Sequence, residues 1–450
     1  MGGDHIILLF FITMHFIFFH SIVIGSGRPQ LEPMSITATR TKKPVLKTAG
    51  TSTVVSSSDI MQKGALNLGD ALKYEPGVSV PFDFSGADSL VPYLGTGEKG
   101  INIRGMDGNR VSINIDGVRQ PQEFYTAGGM AGAGRIYFDP STLSQIELFK
   151  SANSSLYGTT AMGGVISGRT VGPQALLGKD LRGNSFSNAI TFASVNQSIN
   201  NRTTTAWGNG NKAVSLVYSF RSGHERQNNG SVLPDPQNFD SNAVVTRFTS
   251  KSEMFKLSGT VDLFNLTSFT DVNSIEIGNN RSITHQSERE RERFSISLET
   301  LPNFESELTD SIELNAFIQD AVQKTINFQD RSDNNSLRRR NINFITSTVG
   351  FDSFFKKEID AGPFEHKFHL GFEISESEIE SNYLQTDFLQ DGRTRNDNRN
   401  SMAPSISSEI AFFILDEINF GEQDDWTLSP SLRFDFYEVK PRTNEAFRAN

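Results

Sequence analysis

The chain has 450 residues, of which 36% are hydrophobic, and its mean hydropathy of −0.35 excludes a bundle of membrane-spanning helices. The formal net charge of −10 and the isoelectric point near 5.3 argue against a broad phosphate-binding face, so nucleic acid is not an expected partner. Cysteine is absent, which excludes a thiolate metal site and a lipid-modified N-terminal cysteine.

The first element is an apolar run over residues 6–24, followed by small residues at 25–27. This pattern is typical of a secretory signal peptide, which we expect over residues 1–27. The start of the run carries Asp4 and no Lys or Arg. An uncleaved membrane anchor is therefore the alternative interpretation.

Residues 28–45 form a polar, proline-containing segment that predicts a linker, and its stretch from 32 to 40 has the residue types of an extended strand. Residues 46–175 are glycine-rich and of mixed pattern, and the glycines allow tight turns in this part of the chain. Arg104, Arg110 and Arg119 recur there at strand spacing, and we expect them to face a polar wall rather than solvent.

From about residue 180 to 450 the hydrophobic pattern has the strand period of two. Phe368, Leu370 and Phe372, for example, alternate with His369 and other polar residues. We expect about eleven antiparallel strands. Short links near 209–210, 250–253, 302–307 and 421–425 alternate with long polar loops near 225–242, 267–283, 329–341 and 382–404. This alternation favours an outer-membrane barrel over a soluble sandwich.

The stretch SERERERF at 287–294 places Glu288, Glu290 and Glu292 on the same strand face as Phe294. A glutamate facing lipid would be costly, so we expect this part of the strand to rise above the bilayer on the outer side. A helix with many ion pairs is the alternative, but the residues that follow keep the strand period.

Several motifs, in order along the chain, resemble TonB-dependent outer-membrane receptors. Residues 32–40, EPMSITATR, resemble the TonB box. Residues 70–78, 101–105 and 146–150 look like plug elements, as do Tyr157-Gly158 and residues 162–166. Residues 108–120, 415–418 and 426–435 resemble the haem/haemoglobin/transferrin-type branch. One departure is Lys150-Ser151-Ala152, where the family often has Arg-Gly-Pro, which puts an ion pair from Lys150 to the barrel in doubt.

The resemblance implies a membrane β-barrel around an N-terminal α/β plug domain, with the plug at 46–175 and a partial transmembrane barrel at 180–450. It implies active uptake of haem or of iron from a carrier protein, coupled to TonB. Alternatives are a siderophore or cobalamin receptor, a non-transporting surface binder and a non-functional gene fragment. The expected TonB-binding residues are Glu32, Met34, Ser35, Ile36, Thr37 and Ala38. The plug-motif residues are Arg104, Gly105, Arg110, Asp116, Gly117, Arg119, Gly163 and Gly164.

Haem is a candidate transported ligand, and no resident cofactor or metal is expected. Its axial ligation usually uses histidine, and His224 and His285 border predicted outer loops. We take them as candidate ligand-binding residues, with solvated loop histidines as the alternative. The glycine pattern at 95–100 lacks the strand–turn–helix context of a dinucleotide site, and an enzyme is not expected.

About eleven strands is half of the 22 that we expect for a barrel plugged in this way, and a sheet that spans lipid must close. We therefore expect an N-terminal half-barrel, incomplete at its C-terminal end. The strands near 185 and 436 should be unpaired with each other.

Overall fold

The computed structural model describes residues 34–35, 43–44, 50–65, 68–80, 101–126, 130–133, 139–227, 231, 235–273, 280–398, 402–421 and 426–442. The predicted signal peptide lies outside these ranges, as do Glu32, Ile36, Thr37 and Ala38. Met34–Ser35 forms a two-residue strand, β1, which pairs with β2 at Lys43–Pro44.

The N-terminal domain is a plug of mixed structure. Its strands are β3 (Ser52–Ser56), β4 (Val78–Ser79), β5 (Asn102–Ile103), β6 (Val111–Ile115), β7 (Val118–Arg119), β8 (Phe124–Thr126), β9 (Met130–Ala133), β10 (Leu143–Phe149) and β11 (Gly164–Thr170). Its short α-helices are α1 (Ser57–Gln62), α2 (Leu68–Leu72), α3 (Ser154–Tyr157) and α4 (Pro173–Leu177). Its 3-10 turns are Gly108–Arg110, Pro140–Thr142 and Thr159–Ala161.

The plug core is a five-stranded sheet in the order β3-β10-β11-β6-β7, in which only the β6–β11 pair is parallel. Helices α1 and α2 cover it, and their Ile60 and Leu72 are buried against Ile113 and Ile146 of the sheet. Burying such side chains stabilises the fold by roughly 1.5–3 kcal/mol each. The plug thus has its own hydrophobic core.

The rest of the described chain forms one antiparallel sheet. Its strands are β12 (Arg182–Ala193), β13 (Ser198–Asn209), β14 (Lys212–His224), β15 (Gln237–Lys251), β16 (Phe255–Val272), β17 (Asn280–Thr300), β18 (Ser311–Arg331), β19 (Ser336–Ala361), β20 (Phe364–Phe388), β21 (Thr394–Asn398), β22 (Ser405–Phe420), β23 (Trp426–Leu428) and β24 (Ser431–Pro441). Both β21 and β22 pair with β20, and both β23 and β24 pair with β22.

β21 and β22 thus share one position next to β20, and β23 and β24 share one position next to β22. The thirteen strands therefore fill eleven positions, the number that the sequence predicted. Among the described residues, β12 pairs only with β13 and β24 pairs only with β22. The sheet is therefore open, as expected, and its two edge strands do not meet.

The predicted alternation of short and long links is wrong in part. The polar segment at 329–341 is mostly strand, because β18 runs to Arg331 and β19 begins at Ser336. Conversely, the link expected to be tight near 302–307 spans the ten residues between Thr300 and Ser311. Strands β17 to β20 are 21 to 26 residues long. A strand needs only about 9–11 residues to cross a bilayer, so their polar ends extend beyond it.

The alternating pattern places apolar side chains on the outer face of the sheet. Phe294, Ile318, Phe412 and Phe436 are each between 48% and 63% exposed. The other face of the sheet lies against the plug. Of the residues described, those after Leu177 contain no helix, and no helix of the described chain is long and apolar enough to cross a membrane.

Candidate functional site

The contact between the plug and the wall is centred on the hairpin of β6 and β7. Its two-residue turn is Asp116-Gly117, with φ angles of 50° and 85°. Both values lie in the left-handed region that Asp-Gly pairs adopt in tight hairpins, which explains these residues at the turn. The turn projects Asp116 towards one part of the wall, and Arg119 three residues later reaches another.

Asp116 is the anionic anchor of the hairpin. Its Oδ2 atom lies 2.9 Å from a guanidinium nitrogen of Arg247 on β15 and 2.8 Å from one of Arg293 on β17. The backbone N–H and the hydroxyl of Thr170, at the end of β11, also donate to this carboxylate. Arg293 donates a further hydrogen bond to the carbonyl of Ile115. The anchor therefore joins two plug strands to two wall strands.

A second carboxylate balances the buried arginines. Asp262 on β16 lies 2.9 Å from Arg293 and 3.0 Å from Arg291, and all three side chains are at most 2% exposed. An unpaired charge at such a depth would be strongly unfavourable, so the two acids and three arginines stabilise one another.

The pKa of Asp116 is held well below its usual range. Burial alone would raise this pKa, but the positive charges of Arg247 and Arg293 and the hydrogen bonds from Arg293 and Thr170 outweigh it. Asp116 therefore remains ionised at any physiological pH.

Arg119 is the cationic anchor. One guanidinium nitrogen lies 3.0 Å from Glu409 on β22, and the other lies 3.4 Å from Glu373 on β20. Arg433 on β24 completes a four-membered group, with contacts of 2.7 Å to Glu373 and 3.7 Å to Glu409. Gln120 also donates to the side-chain oxygen of Gln319 on β18 at 2.9 Å. The hairpin is thus held on both sides by opposite charges.

The expectation that three plug arginines face the wall is correct for Arg119 only. Arg110 pairs with Asp107 within the plug and its side chain is 54% exposed. Arg104 forms a turn with Gly105 and donates to Thr51 of the plug. Arg104 and Arg110 both lie in short turns of the plug, not on strands that face the wall. Strand spacing alone could not reveal this difference.

Gly163 and Gly164 lie where β11 meets the rest of the plug. A Cβ atom on Gly164 would lie 2.4 Å from the carbonyl oxygen of Phe149, and one on Gly163 would lie 2.6 Å from Cβ of Met106. No larger residue fits there without displacement. The sequence put an ion pair from Lys150 to the barrel in doubt. In the structure Lys150 pairs with Glu75 inside the plug, at 3.8 Å.

The two candidate ligand histidines differ in placement. His285 on β17 is 4% exposed, and its Nδ1 atom lies 2.6 Å from Oδ1 of Asn327 on β18. His224, the last residue of β14, is exposed. No group of three or more His, Asp or Glu side chains in the described part of the chain is arranged to hold a metal ion. The roles of His224 and His285 remain predictions.

The wall residues that hold the hairpin were missed by sequence reasoning. The strand period puts Arg291 and Arg293 on the face opposite Phe294 and puts Glu373 on the face opposite Phe372. It could not show which plug residue each one meets, because the contacts join residues between about 130 and 290 positions apart, as with Arg119 and Glu409. A charged residue in mid-strand, on the face opposite the apolar one, is the signal that could have identified them.

Two family models match the chain. The TonB-dependent Receptor Plug Domain matches residues 44–165, and the TonB dependent receptor-like, beta-barrel family matches residues 149–450. The second match covers more than half of the chain. The chain therefore belongs to the TonB-dependent receptor family, whose members are receptors of the bacterial outer membrane.

Curated relatives cover the chain in part. Transferrin-binding protein A of Neisseria meningitidis serogroup B is 29% identical over 206 residues, which is 44% of this chain and 21% of the relative. Hemoglobin-binding protein A of Haemophilus influenzae is 32% identical over 187 residues, which is 40% of this chain and 17% of the relative. The matched segment thus spans about a fifth of each relative.

Among solved structures, the Serratia marcescens hemophore receptor HasR, in complex with its hemophore HasA and heme, superposes with a TM-score of 0.62. The identity is 17%, and the match covers 87% of this chain and 52% of that chain. At this identity the comparison establishes the fold alone: a plug seated against a curved antiparallel wall.

Proposed function

We propose that this protein is a TonB-coupled importer of haem or of iron taken from a carrier protein. The observation that carries the proposal is the plug itself, which is docked on the wall by buried ion pairs at Asp116 and by partly exposed ones at Arg119. Breaking such pairs requires work, and an energy-coupling partner would supply it. The relatives named for transferrin and haemoglobin support a carrier-bound iron source.

A growth experiment tests the substrate. The receptor, produced from its own gene in cells that lack other iron receptors, is expected to restore growth on haemoglobin, haem or transferrin as the sole iron source. Growth restored only by ferric siderophores or cobalamin would overturn the carrier-protein part of the proposal. Failure on every source would leave a surface binder without transport activity as the better interpretation.

Coupling is tested at the segment that resembles the TonB box. Ile36→Pro removes a backbone donor and disrupts addition of a strand to a partner sheet. Uptake should be lost while ligand binding at the cell surface is retained. Ile36→Val, which keeps the donor and the strand preference, is the matched control. Uptake that survives the proline substitution would exclude residues 32–38 as the TonB contact.

The proposed haem ligands are tested by titration. If His285 or His224 ligates haem, replacing it with alanine should shift the absorption band of the bound haem and weaken binding. A haem titration that is unchanged when both histidines are replaced would exclude them as ligands. It would not contradict the proposed transport function.

A further inference from the structure

Three ionisable side chains lie together on the outward face of the sheet: Lys357 on β19, His366 on β20 and Asp416 on β22. Phe368 is the register partner of both Lys357 and Asp416, and His366 is two residues away from it on the same strand face. The register of β20 with β22 puts these residues on the face of the outward Phe412. Ionisable groups that face lipid are costly and usually have a function, so this cluster points to one.

The cluster is an exception among its neighbours. The turn at 362–363 joins β19 to β20 and is of the short kind that lies on the periplasmic side of outer-membrane barrels. In the described strands β17 to β22, the outward face carries no other ionisable side chain between this end and the first acids further along, which are Glu292, Asp320 and Glu376.

The cluster lies close to the periplasmic side of the membrane. Lys357 is four residues before Ala361, the last residue of β19, and Asp416 is four residues before Phe420, the last residue of β22. Four residues of a strand tilted by about 40° cover about 10 Å along the membrane normal. The three side chains are therefore within reach of the lipid headgroups of the periplasmic leaflet.

Asp416 is held by one neighbour and can accept from another donor. Its Oδ2 atom lies 2.9 Å from Nδ1 of His366, and the His366 ring is stacked on Phe368 with centroids 5.6 Å apart. The other oxygen, Oδ1, is buried and accepts no hydrogen bond from the described residues. A buried carboxylate oxygen without a donor is unfavourable, and an N–H group of a ligand would satisfy it. The last torsion of Asp is soft, so rotation can turn Oδ1 towards such a ligand.

Lys357 supplies a positive charge on the other side of Phe368. Its Nζ atom lies 2.9 Å from Asp310 in the link before β18, and the Asp310 side chain is 42% exposed, so the ammonium lies at the edge of the water. An ammonium has three N–H donors, and the contact with Asp310 leaves others for a ligand. Neighbouring strands are about 4.8 Å apart, so Lys357 and Asp416, two strands apart, present opposite charges about 10 Å from each other.

We propose that Lys357, His366 and Asp416 form a binding site for the headgroup of an amine-bearing phospholipid. The phosphate contacts the ammonium of Lys357, and the primary ammonium of the lipid donates to Asp416, whose carboxylate His366 positions. The acyl chains lie against exposed apolar side chains further along the same face, such as Leu370 and Ile414. The site concerns how the receptor is held in its membrane and does not depend on which iron source it imports.

The amine distinguishes this lipid from other phospholipids. A lipid that ends in choline carries the same charges but has no N–H group to donate to Asp416, and one that ends in glycerol has no positive charge. Both keep the phosphate that Lys357 would contact. The preference for ethanolamine over choline therefore reports on Asp416, and the retention of all three lipids reports on Lys357.

Native mass spectrometry of the purified receptor tests the site. The receptor is exchanged into micelles that contain equal amounts of phosphatidylethanolamine, phosphatidylcholine and phosphatidylglycerol with the same acyl chains, and the bound lipids are identified by mass. The native receptor should retain the ethanolamine lipid about fivefold over the choline lipid, the factor that one partly exposed ion pair provides. Asp416→Asn should abolish this preference, and Lys357→Gln should weaken retention of all three lipids.

Two sets of variants serve as controls. Glu378→Gln removes a carboxylate from the same face of β20 at its other end, where Glu378 pairs with Arg442, and should leave the native preference unchanged. His366→Asn keeps a donor for Asp416 and should keep the preference, whereas His366→Leu should reduce it. Cooperative thermal unfolding of each variant shows that it is folded.

Several outcomes would overturn the site. Equal retention of the ethanolamine and choline lipids by the native receptor would do so and would favour a membrane-embedded protein as the partner of this face. A preference that survives in both Asp416→Asn and His366→Leu would place the lipid elsewhere. Loss of the preference in Glu378→Gln as well would mean that outward charge in general selects the lipid. Displacement of the lipid by an equal concentration of free phosphoethanolamine would overturn the assignment to a lipid.

Discussion

Asp116 shows how much a single residue contributes to docking the plug. It is the one side chain of the hairpin that faces two wall arginines, Arg247 and Arg293. Replacing it by Asn leaves both cations with less compensation. Asp262 still faces Arg293, so the loss should be near the lower end of the range for buried pairs, about 3 kcal/mol.

This loss is measurable as the free energy of unfolding in denaturant of the purified receptor. Asp107→Asn is the matched control, since Asp107 pairs within the plug with the exposed Arg110 and should matter by about 1 kcal/mol or less. The assignment of Asp116 as an anchor fails if the two variants are equally stable.

The depressed pKa of Asp116 gives this contribution a defined pH dependence. Since the pKa is lower in the folded protein than in the unfolded chain, the stabilisation is fully present above the unfolded value of about 3.9. It is lost as the pH falls below that value towards the folded pKa. The difference in unfolding free energy between the native protein and Asp116→Asn should be constant down to about pH 5 and shrink below about pH 4. A difference that grows on acidification would contradict the sign.

The turn that carries Asp116 could be predicted from the sequence, but its partners could not. The Asp-Gly pair between two apolar runs is a strong hairpin signal because few other residues tolerate both φ values. Glu373, Glu409 and Arg433 come together only when β20, β22 and β24 pair in the observed register. One residue of slip would turn all three away from the plug.

At the level of elements, the start of β11 lies very close to the neighbouring strand β10. Gly164→Ala would place a methyl group 2.4 Å from the carbonyl oxygen of Phe149, on the neighbouring strand β10. The backbone of β10 can move away only at an energetic cost, so β10 and β11 should separate locally. We expect a loss of stability of about 1–3 kcal/mol or more.

Thermal unfolding of the purified receptor measures this effect. Gly259→Ala on β16 is the control, because a Cβ atom there would meet nothing within 4 Å. The same fall in melting temperature in both variants would mean that the close approach at Gly164 is relieved without cost.

The bounds of the strands show a limit of predicting secondary structure from the sequence. Residues 329–341 are polar on both faces, which ordinarily indicates a loop, yet β18 and β19 continue through them with a link of only four residues. Beyond the bilayer both faces of a strand meet water or the polar interior. Strand pairing, as between Asp330 and Leu337, then persists without an apolar face. The SERERERF stretch lies in β17, as the strand interpretation predicted.

At the scale of the whole molecule, the side chains on the outer face of the sheet indicate where the membrane lies. Glutamates stand directly beyond the apolar band on three strands: Glu292 follows Phe294, Glu376 follows Ile374, and Glu438 follows Phe436 towards the same end of the sheet. Charged side chains at the same end of the apolar band on separate strands mark the upper boundary of the lipid, because they are costly within it.

The opposite boundary is aromatic. The ring centroid of Phe364, at the start of β20, lies 5.9 Å from that of Phe420 on β22. Trp426 pairs with Phe420 in the register of β22 and β23. Between Phe364 and Ile374 the strand rises about 33 Å, and a tilt of about 40° reduces this to roughly 25 Å along the membrane normal. This equals the height expected for the apolar band of an outer-membrane barrel.

The two tryptophans of the chain make this placement testable. Trp426 and Trp207 are 67% and 57% exposed on the outer face, and each lies within a few residues of a link at the same end of the sheet. Tryptophan prefers the membrane–water interface, where its ring is apolar and its N–H is hydrated. In reconstituted receptor, lipids brominated near the headgroup should quench their fluorescence more than lipids brominated near the chain ends. Trp207→Phe and Trp426→Phe assign the signal to each residue, and each should remove a component with the same shallow profile. Stronger quenching of either tryptophan from the bilayer centre would place the periplasmic boundary elsewhere and refute the assignment of the apolar band.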